Sequence, residues 1–456
     1  MSREVVVIGG GASGMMAAIW AAREGAKVTL LEAGEKLGKK LSITGNGRCN
    51  FSAVRGGEEA YRGEEPLFAQ AVLSSFTVQD TVSFFTRLGI YSENIGGGLY
   101  PRSMQAQSMV TALERELSRL SVKKKCKERV TEILSLGEEK DLRFHGEDDK
   151  RFHGEKDQRI EEEKAGHPFL VKTETWQYPA DAVILAAGSP AHAETGATGD
   201  GYAFASRLGH RVIPPYPALT SLVCKQAPSF GWAGVRCKGR VSAYAGEEFL
   251  SSDEGELQLT EYGVSGIPVF NISSPSIRAL EEGKETVRVV LDFFPEVKKE
   301  DFASFWEARK KLCPHLSGKD LLFGLFPDKL SAALWKMSGG KEEALLSCLK
   351  ELSLTASGYQ RERAQVYSGG VSTEEVDFHT LQSVLVPGLY LCGEVLDVDG
   401  KCGGYNLQWA WSSGQVAGFH AGGAMFCPRS RRGEAGGQAS GPDQSSKNFV
   451  FRGGER

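Results

Sequence analysis

Two apolar rhythms run along this chain. After Arg3-Glu4 comes an unbroken run, Val5-Val6-Val7-Ile8, then Gly9-Gly10-Gly11-Ala12-Ser13-Gly14 and an apolar stretch to Ala22. A second run, Lys27 to Leu31, ends on Glu32. Unbroken runs of this length mark strands covered on both faces, so they predict strand, glycine turn, helix and second parallel strand. Farther on, apolar residues recur every three or four positions. That period predicts helices over Leu67–Ser75, Val78–Leu88 and Met104–Leu120, the last with Met109, Leu113, Leu117 and Leu120 on one face. Strands are expected at Arg129–Leu134 and Phe169–Thr175. Ala182-Val183-Ile184-Leu185 reads as a buried strand running into Ala186-Ala187-Gly188. The stretch Lys39 to Asn50 reads as a loop.

The character changes between about Ala193 and Ser357. Short strand patterns (Ser221–Lys225, Lys238–Tyr244, Glu256–Thr260, Thr286–Leu291) give way to helical ones (Lys299–Leu312, Lys329–Met337, Lys341–Leu352). The first pattern resumes at Gly388-Leu389-Tyr390-Leu391-Cys392-Gly393-Glu394, a strand ending in glycine and an acid. The expected organisation is α/β. One nucleotide-binding domain (1–192 and 358–426) is split by an inserted domain (193–357), with a charged insert at 137–166 and a disordered tail at 427–456.

Composition narrows the function classes. A chain of 456 residues exceeds one ordinary core. Net charge is −4, so nucleic acid is not the expected partner. Nine cysteines include no Cys-x-x-Cys pair, which argues against a dithiol centre, a zinc ribbon or an iron–sulfur cluster and fits reduced thiols. A tandem octapeptide, Arg143–Lys150 then Arg151–Gln158, repeats His-Gly-Glu and invites a metal-site reading. A duplicated solvated hairpin loop is the favoured reading, because little apolar anchors it. No metal is expected. Met1-Ser2-Arg3-Glu4 leads straight into the first strand, so neither signal peptide nor membrane insertion is expected and the chain reads as cytoplasmic.

The glycine turn carries the chemistry. Strand, Gly-x-Gly-x-x-Gly, helix, strand and acid are in register for dinucleotide binding. Gly9 permits the tight turn, Gly11 lets the backbone approach a pyrophosphate, and Gly14 allows helix and strand to pack closely. The Ala12 and Ser13 amides open the helix toward the phosphates. Glu32 can accept both ribose hydroxyls and would repel the extra phosphate of NADP. A third segment, Gly403-Gly404-Tyr405-Asn406-Leu407-Gln408-Trp409-Ala410, places two glycines before a helix running to about Phe419. Backbone there can approach a flat ring. In a flavoprotein the helix's free N–H groups would meet the pyrimidine edge, where negative charge develops on reduction.

The strings Thr44-Gly45-Asn46-Gly47-Arg48-Cys49-Asn50, Gly196-Ala197-Thr198-Gly199-Asp200-Gly201-Tyr202, Gly369-Gly370-Val371-Ser372 and Gly403–Ala410 resemble the BaiN-like flavoproteins, bacterial NAD(P)/FAD-dependent oxidoreductases. The resemblance runs from Val5 to about Gly418. It implies a Rossmann-like FAD-binding domain split by an inserted domain of β-barrel and helices. It also implies FAD contacts at Gly9, Gly11, Ala12, Ser13, Gly14, Glu32, Lys40, Thr44, Gly45, Gly47, Arg48, Val130, Gly188, Gly393, Glu394, Gly404, Asn406 and Leu407. The chain departs from the usual pattern at Thr260-Glu261-Tyr262-Gly263-Val264-Ser265-Gly266-Ile267-Pro268, where Glu261 stands in place of His and Ile267 is extra.

The activity this implies is reduction of the 4- and 6-ene bonds of 3-dehydro-bile acids, with NADH or NADPH as transient hydride donor and a steroid-like apolar enone as substrate. Such a reduction needs hydride delivery, a donor for the developing enolate and a proton. Arg48, Asn50 and Tyr405, with Tyr100, Tyr262 and Lys401, are the candidate polar groups. Cys49 and Cys402 read as packing residues. No second glycine turn is present, so a nicotinamide would visit the same cleft in a ping-pong manner. Two alternatives stay open: a flavin oxidase or dehydrogenase of a small amine or hydroxy acid, and an FAD-dependent RNA-modifying protein. For the latter, the run Lys123–Lys127 is the one dense basic patch, read more simply as a solvated turn.

Overall fold

A computed structural model describes residues 2–54, 58–136, 166–283 and 286–423. The expected tandem octapeptide and tail lie outside these. Five parallel strands form the central sheet: β1 (Glu4–Ile8), β2 (Lys27–Glu32), β3 (Lys123–Cys126), β4 (Ala182–Leu185) and β5 (Leu389–Leu391), in the spatial order β5-β4-β1-β2-β3. Val7, Ile184, Leu30 and Leu391 are fully buried. Their apolar runs are unbroken because both faces are packed into the core, by helices and by a three-stranded antiparallel sheet (Val130–Ser135, Phe169–Thr173 and Gln177–Ala180).

Lys123-Lys124-Lys125 is thus an edge strand beside β2, not the solvated turn expected. Lysines on an unpaired edge keep it soluble and block pairing with other chains, a structural reason for the basic run.

Helix α1 (Ala12–Arg23) follows β1, and α4 (Tyr405–Ala421) lies along it. Glycines let the two backbones touch. A Cβ on Gly414 would come 2.5 Å from the Ser13 carbonyl oxygen, and one on Gly418 would come 2.3 Å from that of Ala17. Contacts that advance in step along both chains mean the helices run parallel. Trp409 and Trp411 are fully buried beneath α4, as core residues should be.

Between Leu222 and Tyr359, six antiparallel strands close into a barrel: Leu222–Cys224, Gly263–Ser265, Glu248–Leu259, Arg236–Ala245, Val287–Asp292 and Leu352–Tyr359 in neighbour order. A helix that the pattern did not reveal, α3 (Ile267–Glu281), packs on these strands. Helices Lys299–Leu312, Asp328–Met337 and Glu342–Glu351 complete this part around a core including Trp232, Trp306 and Leu334. The fold is therefore a Rossmann-like α/β unit split by a β-barrel with helices, as expected.

A candidate dinucleotide and substrate cavity

Two neighbouring helix ends define the site. Gly9 and Gly14 close the turn after β1: a Cβ on Gly14 would lie 1.8 Å from the Gly9 carbonyl oxygen, so only glycine fits. At Gly11 the reason differs. A Cβ there would meet no protein atom within 4 Å, so its bareness serves the cavity in front of it. The α1 N-terminus opens at this point. Helix α4 begins nine residues before Gly414, whereas α1 begins one residue before its neighbour Ser13. The α4 N-terminus therefore projects about 12 Å beyond that of α1 in the same direction. Two positive helix ends, staggered along one cavity, suit an extended ligand with an anionic group near its middle and a second electron-rich site farther on.

That cavity measures about 790 Å³. At one end Glu32 closes it. Its Oε2 accepts from the Gly10 N–H at 2.8 Å and its Oε1 from the Gly34 N–H at 2.6 Å, which fixes the carboxylate at the end of β2. Val130 lies beside it. Midway, Lys40 pairs with Glu394 at 2.7 Å, and the Ser189 hydroxyl donates to the same carboxylate at 3.2 Å. These contacts join residues 354 positions apart in the chain. At the far end stand Arg48, Asn50, Tyr100, Cys402, Gly404, Asn406 and Leu407.

Of the residues expected at the site, Gly9, Gly11, Ala12, Ser13, Glu32, Lys40, Thr44, Gly45, Arg48, Asn50, Val130, Gly188, Glu394, Gly404, Asn406 and Leu407 line this one cavity. Gly14, Gly47, Gly393 and Tyr405 do not. Gly393 faces α4 instead: its N–H donates to the Ser413 hydroxyl at 3.0 Å and its carbonyl accepts from Trp409 Nε1 at 3.0 Å. Tyr405 turns its ring edge-on to Tyr61, centroids 5.9 Å apart, and lines a separate cavity of about 350 Å³. Tyr262 and Lys401 also lie off the main cavity.

The segment expected as a loop, Lys39–Asn50, is in fact a helix, α2 (Lys39–Gly47), broken inside. Thr44 is extended, and Gly45 and Asn46 adopt left-handed backbone at φ +56 and +54. The break turns Arg48 and Asn50 toward the cavity. Arg48 is exposed, and no ion pair holds its guanidinium among the described residues. The Asn50 Oδ1 is buried without a hydrogen-bond partner. It faces Gly404, where a Cβ would come 2.8 Å from it and 2.6 Å from the Ser52 carbonyl oxygen. An orphaned polar atom beside bare glycine backbone is what a polar ligand edge would satisfy. The donor set, the Gly11 cradle and the Asn50 orphan together fit FAD.

The thiols are poor reagents. Burial pushes Cys49 up to about 12 and Cys402 up to about 11, so both stay protonated at neutral pH. Among the described residues no cluster of His, Cys, Asp and Glu could hold a metal, and no helix is long and apolar enough to cross a membrane.

Sequence reasoning missed the barrel side of the cavity: Leu219, Ile267, Phe270, Arg363, Gln365 and Val366 also line it. Ile267 and Phe270 sit on the first turn of α3. One device ties α3 to the glycine loop. Pro275, inside α3, has no N–H for the Asn271 carbonyl four residues earlier. The Arg62 guanidinium donates there instead. The Asn271 side chain accepts from the Cys402 N–H at 2.8 Å and donates to Asp253 at 2.7 Å. No local pattern announces this tie; only the proline hints at it.

Relatives of known activity match most of this chain in sequence. The chain is 40% identical over 429 residues to the 3-dehydro-bile acid delta(4,6)-reductase of Clostridium scindens, covering 90% of this chain and 97% of that protein. It is 28% identical over 426 residues to the ribosomal RNA dihydrouridine synthase of Haemophilus influenzae, covering 90% and 96%. The Escherichia coli protein of the same description is 28% identical over 427 residues, again covering 90% and 96%. The similarity to the Clostridium scindens reductase bears out the resemblance drawn from the four glycine-rich strings. The family described as HI0933-like protein Rossmann domain matches residues 3–420, and the chain belongs to that family.

Proposed function

We propose that this protein is an FAD-dependent oxidoreductase that uses NAD(P)H to saturate a carbon–carbon double bond conjugated to a carbonyl, with a 3-dehydro-bile acid as substrate. The observation that carries the reading is the pair of staggered helix N-termini on one cavity, with Glu32 at the near end and unpaired Arg48 and Asn50 at the far end. Identity of 40% to a bile acid reductase supports the substrate. FAD, when bound, supplies the electron pair that saturates the double bond. Glu32 would hold the adenosine ribose, the α1 N-terminus the pyrophosphate, and the α4 N-terminus the ring edge that gains charge. The Arg48 guanidinium would bind the substrate carbonyl oxygen and stabilise it as negative charge grows there, while the Asn50 Oδ1, an acceptor, would take a hydrogen bond from an N–H of the flavin. Both Cys49 and Cys402 stay neutral bystanders.

A second reading has its own support in the two dihydrouridine synthase relatives. The uracil 5,6 double bond is also conjugated to a carbonyl, so the reaction class is shared and only the acceptor differs. Anaerobic mixing of the yellow holoenzyme with NADH or NADPH should bleach it. A 3-oxo bile acid with 4- and 6-ene bonds should then restore the colour and yield the saturated product. Recovery with ribosomal RNA but not with the steroid selects the second reading. Recovery with oxygen alone points to an oxidase. Well-folded protein from riboflavin-replete cells that is colourless and takes up no FAD overturns both reductase readings.

A further inference from the structure

We propose that Ile43 and Ile267 form an apolar mouth that selects a flat polycyclic enone over a single-ring one. This inference rests on the ene-reductase reading and names what sets the size of its substrate.

Both isoleucines are conspicuous by exposure. Ile43 is 44% and Ile267 57% accessible, yet both line the main cavity. Ile43 comes from the broken helix α2 of the Rossmann part; Ile267 is the first residue of α3 in the barrel part. Neither position is dictated by packing. Ile267 precedes Pro268, which is itself buried, and the core beneath α3 is filled by Val269 and Ile272. Large aliphatic side chains left in water on two independent elements that line one cavity mark a ligand-contacting surface.

Other apolar side chains line the same cavity. Phe270 packs on Leu219 and Val366, both nearly inaccessible, together with Cys402. The polar groups on this side of the cavity are Arg48, Asn50, Tyr100, Arg363 and Gln365, of which the Arg48 guanidinium is the one assigned to the carbonyl. A one-ring enone bound by its oxygen at Arg48 would leave the isoleucines in water. A tetracyclic skeleton held by the same oxygen has further apolar rings to cover them. Aliphatic side chains give little to a nucleotide's phosphates, so what the two isoleucines contribute goes to an apolar skeleton.

The experiment uses the complete oxidised holoenzyme, with I43S/I267S and the conservative I43L/I267L. Binding of a 4-ene-3-oxo bile acid is measured by calorimetry, and turnover of that acid and of 2-cyclohexenone is compared. Half-exposed aliphatic side chains lose part of their transfer free energy on truncation, so the steroid Kd should rise about tenfold in the serine variant. Its KM should rise in step with kcat held, cyclohexenone kinetics should not change, and the leucine variant should behave as wild type. Unchanged steroid Kd in the serine variant overturns the proposal, as does an equal loss for both enones. Weaker binding of a uridine-containing ribosomal RNA fragment with steroid binding intact also overturns it. Wild type that turns over neither enone fails the ene-reductase reading itself, and this inference with it.

Discussion

Asp399 carries a stability cost that can be measured. The residue lies in a two-residue strand paired with Tyr61-Arg62 and is 1% accessible. Burial raises its carboxyl from the usual 3.8 to about 6, while the Arg62 charge and the Ser368 hydroxyl pull it back and Asp397 pushes it further up. A raised carboxyl holds its proton in the folded state at a pH where the unfolded chain has already released it. Stability therefore falls as pH rises from about 4 to about 6 and stays flat above, by about 3 kcal/mol for a shift of about two units. Asp399→Asn has the shape of the protonated acid and cannot ionise. The variant should match wild type near pH 4 and exceed it by about 3 kcal/mol at pH 7.5, in paired urea denaturation of the two holoproteins. Titrating groups that do not interact with Asp399 cancel in that difference. An advantage independent of pH, or one that shrinks as pH rises, would refute the reasoning.

The two turn glycines should separate folding from cofactor binding. Gly14→Ala collides with the Gly9 carbonyl and should yield little soluble protein, whereas Gly11→Ala should leave the melting profile of the FAD-stripped protein unchanged but retain at least tenfold less FAD, read from the flavin-to-protein absorbance ratio. Glu32→Ala frees the Gly10 and Gly34 N–H groups and removes the ribose acceptor; FAD should dissociate roughly tenfold or more faster in gel filtration, since hydrogen bonds to a charged group contribute about 1.5–3 kcal/mol. Steady-state reduction of the enone should give parallel double-reciprocal lines against NADH or NADPH, as one shared cleft requires, and intersecting lines would exclude that order.

Legibility in the sequence followed burial geometry. Val5–Ile8 and Ala182–Leu185 were readable because a strand covered on both faces shows an unbroken apolar run. Lys299–Leu312 was readable to the residue because its packing face recurs at helical spacing. Helix α3 was not. Pro268, Asn271, Ser273, Ser274, Pro275 and Ser276 interrupt any stripe, and two of the buried serines bond to their own helix, Ser273 to the Phe270 carbonyl and Ser276 to the Ile272 carbonyl, each at 2.8 Å. Missing α3 meant missing the barrel wall of the cavity. Lys123–Lys125 misled for the opposite reason: an edge strand needs charge, so it reads as a turn. Arg48 and Asn50 were found through a recurring string, because neither periodicity nor spacing foretells a helix broken at Thr44.

The imino acid at 275 has a mechanical consequence. By leaving one main-chain acceptor of α3 open to Arg62, it makes residue 271 a rivet through three layers: the strand at 61–62, the barrel wall at Asp253 and the loop at Cys402. The barrel wall and the glycine-loop wall of the cavity therefore share one fastener. Pro275→Ala would return an N–H donor to compete with Arg62 and loosen that fastener, so redesign of the barrel side for new acceptors must leave positions 271 and 275 untouched.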